Sequence, residues 1–111
     1  MQLFVWNDTM REKIPVKVVP ATDVDFGLTQ KWQSQWTTLA AQGMPNKVAL
    51  HRCDDNELLG LISYQINEKG MAVEVVYVES AGHSNANLLK QTGGKKKYIG
   101  IAKALFAYAA M

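Results

Sequence analysis

Three β-prone runs, at residues 47–53, 58–66 and 71–80, follow one another with separators too short to hold a crossover. Separators this short favour an antiparallel meander. The separators, Asp54-Asp55-Asn56 and Asn67-Glu68-Lys69-Gly70, are rich in turn formers. The third run, Met71-Ala72-Val73-Glu74-Val75-Val76-Tyr77-Val78, is apolar on both faces apart from Glu74. That pattern predicts a central strand covered on both sides.

Upstream, residues 3–6 and 14–19 are β-prone and separated by the polar stretch 7–13, which predicts a hairpin or two successive short strands. Proline lacks the donor that a central strand needs, so Pro15 is expected at a strand start or on an edge. Next, Asp23 or Asp25 can cap a segment in which Leu28, Trp32, Trp36 and Leu39 recur at helical spacing, with Gly43 and Pro45 as stop signals. The expectation is one amphipathic helix with its tryptophan stripe toward the core. From 81 to 97 the composition turns to Gly, Ser, Asn, His and Lys, a long loop of the kind that is usually functional or mobile. Residues 98–111 then form a strongly helix-favouring segment, apolar nearly all round, which must be buried on more than one side.

A chain of 111 residues is one domain by length. Its 48% hydrophobic and 20% charged residues are ordinary for a globular core. The net charge of +2 and pI near 8.7 give little long-range attraction for nucleic acid or an anionic membrane. The lone Cys53 allows no intrachain disulfide, and no Cys/His cluster offers metal ligands. His51 lies two residues from Cys53, but a buried or half-buried structural cysteine is the plainer reading than a catalytic thiol. The N-terminal apolar stretch lacks a basic leader, and no apolar run approaches the ~20 residues that span a bilayer. These features favour a cytoplasmic protein.

The densest chemical signal is strand, polar loop, then Lys97-Tyr98-Ile99-Gly100-Ile101-Ala102 opening a helix. The first N–H groups of a helix have no intrahelical acceptor and carry the positive end of the macrodipole, which suits an anion. Gly100 lets a phosphate approach the backbone, Ala102 keeps the next turn small, and Lys95, Lys96 and Lys97 add mobile cations. Gly93-Gly94-Lys95 does not fit a P-loop, which needs Gly-x-x-x-x-Gly-Lys followed by Ser or Thr.

This order of strand, helix, three-strand meander and phosphate-turn helix resembles the GNAT superfamily of acyl-CoA N-acyltransferases. Lys97-x-x-Gly100-x-Ala102 stands where that family has Arg/Gln-x-x-Gly-x-Gly/Ala, and the segments 75–81 and 98–109 resemble its acetyl-CoA strand and the helix that follows. The resemblance implies an α/β (α+β) fold: a mixed, mostly antiparallel central sheet flanked by helices, with residues 1–111 forming one GNAT-like domain equivalent to the N-terminal two-thirds of the fold and lacking the C-terminal strand and helix. It further implies that the turn formed by Lys97, Tyr98, Ile99, Gly100, Ile101 and Ala102 holds the pyrophosphate of acetyl-CoA, and that Tyr77 and Val78 border its pantetheine arm. Lys97 in place of Arg or Gln keeps charge but loses planar hydrogen bonding. With the family's next strand absent, the resemblance implies an open sheet edge that a homodimer or a partner chain completes.

Glu74 and Glu79 are the candidate general bases for an amine acceptor. Each also has a structural reading, as a carboxylate at a solvated edge or strand end. His83 is a candidate proton shuttle or a solvated loop residue, the lysine trio either faces phosphate or solvent, and Tyr64 and Tyr77 read as packing residues. Two functional readings follow. One is an acetyl-CoA-dependent N-acetyltransferase working by direct attack on an unidentified amine; the other is a catalytically inactive scaffold serving as a CoA-binding or protein-interaction module. A nucleic-acid binder is disfavoured, because no stacking aromatics accompany the basic residues.

Overall fold

The computed structural model describes residues 3–41, 43, 46–67, 72–85 and 97–109. Strands β1 (Leu3–Asn7) and β2 (Glu12–Pro20) form the expected hairpin, and β3 (Lys47–Arg52), β4 (Leu58–Asn67) and β5 (Ala72–Ser80) form the expected meander. A short strand β6 (Tyr98–Ile99) pairs antiparallel with β1. Together they make a curled, antiparallel six-stranded sheet in the order β5-β4-β3-β2-β1-β6. The fold class is thus mixed α+β.

Helices cover both faces. Helix α3 (Ile101–Ala109) lies on one, packing Ile101, Ala104 and Leu105 against Val5, Leu50, Leu59 and Ile62. Helices α1 (Asp23–Gly27) and α2 (Trp36–Ala41) lie on the other, where Phe26 and Trp36 meet Ala49, Leu58 and Leu61. The strand covered on both sides is β4, not β5: Leu58 through Ser63 are all buried, with Leu59 and Ile62 in the cluster under α3 and Leu58 and Leu61 in the cluster under α1 and α2. Each buried leucine or isoleucine there stabilises the fold by about 1.5–3 kcal/mol through loss of apolar surface from water. At Gly60 the sheet has no side chain, and α3 uses that gap: an added Cβ would lie 2.7 Å from Ile101 Cγ2 and 3.1 Å from Leu105 Cδ1.

Strand β5 is an edge. It pairs only with β4 among the described residues, and Val73, Val75, Val76 and Tyr77 are exposed on both its faces. The register steps from Ser63↔Tyr77 to Tyr64↔Val75, so Val76 is the extra residue of a bulge, a device that twists an edge strand. An apolar run on both faces therefore marked exposure here rather than burial.

Four other expectations are corrected. Pro15 sits inside β2, between β1 and β3. It is tolerated because a residue's N–H and C=O point to the same side of a strand. Its carbonyl, accepting from Cys53 N at 3.1 Å, faces the position just past the end of β3, so the absent donor costs only the reciprocal bond to Cys53 at the ladder's end. The single helix expected around Trp32 is instead α1 and α2 with an irregular stretch between them. Trp36 is fully buried and Trp32 half-buried, but Leu28 stands at the surface. Thr22, rather than an aspartate, is the N-cap of α1, with Asp25 accepting the Thr22 N–H at 2.9 Å. Finally, Tyr98 and Ile99 are strand, not helix: α3 begins at Ile101, buries one side against the sheet and leaves Phe106 exposed. Met71, Lys95 and Lys96, and the loop segment 86–96, lie outside the described residues.

Candidate functional site

The turn into α3 is built by Gly100. Its φ of +95° is a conformation that L side chains rarely adopt, and nothing lies within 4 Å of where a Cβ would stand. Gly100 accepts the Ala104 N–H at 2.9 Å, closing the first turn, so the N–H groups just inside the helix have no intrahelical acceptor. The turn opens on a groove of about 420 Å³, whose walls include Phe4, Trp6, Lys13, Ile99 and Lys103. Lys13 Nζ stands 5.6 Å above the Phe4 ring. The groove is thus apolar with cationic side chains beside it and the helix dipole at one end.

Of the remaining turn residues, Ile99 is exposed, Ile101 is buried against the core and Ala102 is half-buried. Tyr98 is 1% exposed and its hydroxyl accepts from Arg52 Nη1 at 2.6 Å. Lys97 is exposed, with Nζ 5.3 Å from the Tyr98 ring centre and 3.9 Å from Glu57 Oε1.

A polar seam fastens the end of β5 to β6, across the mouth of the curled sheet. Past Ser80, a 3-10 turn at Gly82–Ser84 places Ser84 Oγ to accept the Tyr98 N–H at 2.9 Å, and the His83 carbonyl accepts the Lys97 N–H at 2.8 Å. His83 Nδ1 lies 2.7 Å from Ser84 Oγ and Nε2 lies 3.0 Å from Glu57 Oε2. One tautomer satisfies both contacts: Nε2–H donates to the carboxylate and Nδ1 accepts from the serine hydroxyl. The His83 ring also meets Tyr98 edge-on, centroids 5.3 Å apart. Below, Arg52 donates to Asp54 through Nε at 2.9 Å and Nη2 at 2.5 Å. That bidentate bond holds the Asp54 carboxyl below the usual carboxylate range and raises the guanidinium's own pKa further.

Glu79 is buried, and its carboxylate accepts from Gln33 N at 2.6 Å, Ser34 N at 3.0 Å and Trp36 Nε1 at 3.1 Å. In a continuous helix those two backbone groups would donate to the carbonyls of residues 29 and 30. The carboxylate replaces those acceptors and so explains why the helix is interrupted. Tyr77, on the same face as Glu79, packs edge-on against Trp36 with centroids 6.3 Å apart. Val78 turns to the opposite face and joins the core under α3. Glu74 is exposed in the middle of β5, opposite Gln65.

The structure therefore brings the first turn of α3 close to the C-terminal end of β5, since Gly60 has both Ile101 and the Glu79 carbonyl as neighbours. Tyr77 and the Glu79 carboxylate lie on the α1–α2 face, away from α3. Sequence reasoning missed Arg52, Glu57 and Ser84. Each has a partner far along the chain, Tyr98 at 46 residues for Arg52, His83 at 26 for Glu57 and Tyr98 at 14 for Ser84, so no local spacing could point to the seam they form. Near this region, Asp25 bridges Thr22 and His51, with Oδ1 2.7 Å from His51 Nε2, while Cys53 is exposed. Among the described residues no helix is long and apolar enough to cross a membrane.

No protein-family model, no curated protein and no solved structure matched this chain.

Proposed function

We propose that the protein is an acyl-CoA-binding domain of the N-acetyltransferase type, in which the Gly100 turn and the start of α3 take the pyrophosphate of acetyl-CoA and the acetyl group passes to an amine by direct attack. One observation carries this reading: Gly100, at φ +95°, forms an unobstructed turn at a helix N-terminus beside a groove lined by Lys13 and Lys103. A fixed backbone donor array with cationic side chains beside it suits a diphosphate, and the apolar walls at Phe4 and Trp6 suit the cofactor's non-polar parts. GNAT-like architecture beyond the antiparallel sheet with helices on both faces belongs to this proposal. So do the roles of Tyr77 and Val78 beside the pantetheine arm, and of Glu79 or Glu74 as the base that takes the ammonium proton.

The test is calorimetric titration with acetyl-CoA and CoA, for the parent protein and for Gly100→Glu. Saturable binding lost in the variant, with the far-ultraviolet spectrum kept, supports the reading. Equal binding by both proteins removes it.

A second reading, that of a catalytically inactive interaction module, is favoured by β5. Its apolar side chains stand exposed on both faces of an edge strand, and unpaired edges recruit other chains. The Glu79 carboxylate, already accepting three protein hydrogen bonds, points the same way. In this reading a second copy, or a separately encoded partner, completes the sheet.

A further inference from the structure

On the α1–α2 face, a cavity of about 380 Å³ lies between the interrupted helix and the seam. Leu28, Trp32, Leu58 and Ala81 give it apolar walls, and Glu57 and His83 stand at its polar end. Its size falls within the roughly 300–1,000 Å³ of ordinary small-molecule sites, which pair apolar walls with a few convergent polar groups.

The Glu57 carboxylate is the one formal negative charge in this lining, and its two oxygens are unequally engaged. Oε2 holds His83 Nε2 at 3.0 Å, whereas Oε1 has only Lys97 Nζ at 3.9 Å, too long for a hydrogen bond, among the described residues. An ammonium of the chain itself is thus already drawn toward Oε1 without reaching it. Trp32 adds an aromatic wall, which suits both an apolar body and a cation. Glu79 acts here as a positioning residue, because the backbone it binds at Gln33 and Ser34 directly follows Trp32.

We infer that this cavity binds a small primary amine with an apolar or aromatic body, its ammonium on Glu57 Oε1 in competition with Lys97 and its body against Trp32, Leu28 and Leu58. As an acetyl-acceptor site it rests on the acyl-transfer reading above. As an amine site it does not. His83, which closes the polar end, packs against Tyr98, two residues before Gly100, so the cavity's polar end adjoins the strand that leads into the phosphate turn.

The experiment is titration with phenethylamine and, as the neutral isostere, phenethyl alcohol, without any CoA, followed by backbone amide NMR shifts. Saturable binding of the amine, with the alcohol weaker by about tenfold or more, is expected for a charge-assisted contact. Glu57→Gln should erase that preference, and Lys97→Ala should tighten the amine. Leu28→Arg, at a surface position, should abolish binding while the spectrum of the folded protein persists. Equal binding of amine and alcohol, no binding of either, or a preference that survives Glu57→Gln overturns the inference. Gly100→Glu should leave amine binding intact. If the amine binds but acetyl-CoA does not, the amine site stands and the acyl-transfer reading falls.

Discussion

The Glu79 carboxylate accepts the indole N–H of Trp36 at 3.1 Å, joining the end of β5 to the first residue of α2 across 43 positions of chain. The same carboxylate holds two backbone N–H groups, so it fixes the segment that carries Trp32 as well as the largest buried side chain in the core.

Glu79→Ala leaves those donors without their acceptor, the Trp36 indole N–H in a buried setting, and the expected loss is about 1–3 kcal/mol of unfolding free energy. Urea denaturation followed by tryptophan fluorescence measures it. Glu79→Gln keeps one acceptor oxygen and should lose less. A Glu79→Ala variant as stable as the parent would show that the clamp is not structural.

Gly60→Ala puts a methyl group 2.7 Å from Ile101 Cγ2 and 3.2 Å from the Glu79 carbonyl. Overpacking of this kind costs about 1–3 kcal/mol. The carbonyl cannot yield cheaply, but Ile101 can. Ile101→Ala removes that Cγ2, so Gly60→Ala should cost less in its presence than alone, a non-additivity read from a double-mutant cycle of unfolding free energies.

Gly100→Ala should destabilise by about 1–2 kcal/mol through backbone strain alone, since the methyl group would meet open space. Melting temperature and urea midpoint both report it. A cost of this origin is nearly independent of side-chain size, so Gly100→Ser should match it closely; a cost rising steeply with size would place an unseen contact at the turn.

The Arg52–Asp54 pair sets a sign for pH. Asp54 is held below its ordinary carboxylate range by the guanidinium hydrogen bonds, so the unfolded chain takes up this proton first as pH falls. The pair's contribution is fully present above the ordinary carboxylate range and is lost as pH drops through the lowered folded value. Carboxyl NMR titration should show Asp54 protonating below the ordinary carboxylate range. Asp54→Asn should flatten the acid limb of the stability profile in that window. Because Asp54 is exposed, salt should weaken the effect.

If β5 recruits a second chain, Val75→Lys should abolish association seen by light scattering while leaving the monomer folded, because Val75 lies exposed on the edge. An assembly that persists in this variant would place the contact elsewhere.

The sequence by itself determined the hairpin, the antiparallel meander and the glycine-led turn into a C-terminal helix. Each depends on contacts between near neighbours: short polar separators force adjacent strands to pair, and only glycine readily takes the φ of Gly100. Tertiary structure alone decided which strand became central. Strands β4 and β5 are both apolar on both faces, and the choice fell to β4 because Gly60 admits α3 closely there, while the curl and the Val76 bulge left β5 at the rim. It likewise decided that Trp32 and Trp36 belong to separate segments, since a carboxylate more than forty residues away supplied the acceptors that a continuous helix would have used. The Glu57–His83–Ser84–Tyr98 seam was illegible for the same reason. Periodicity records which face of an element is apolar, whereas the pairing of polar side chains from distant segments is fixed only when the sheet curls and brings its ends together.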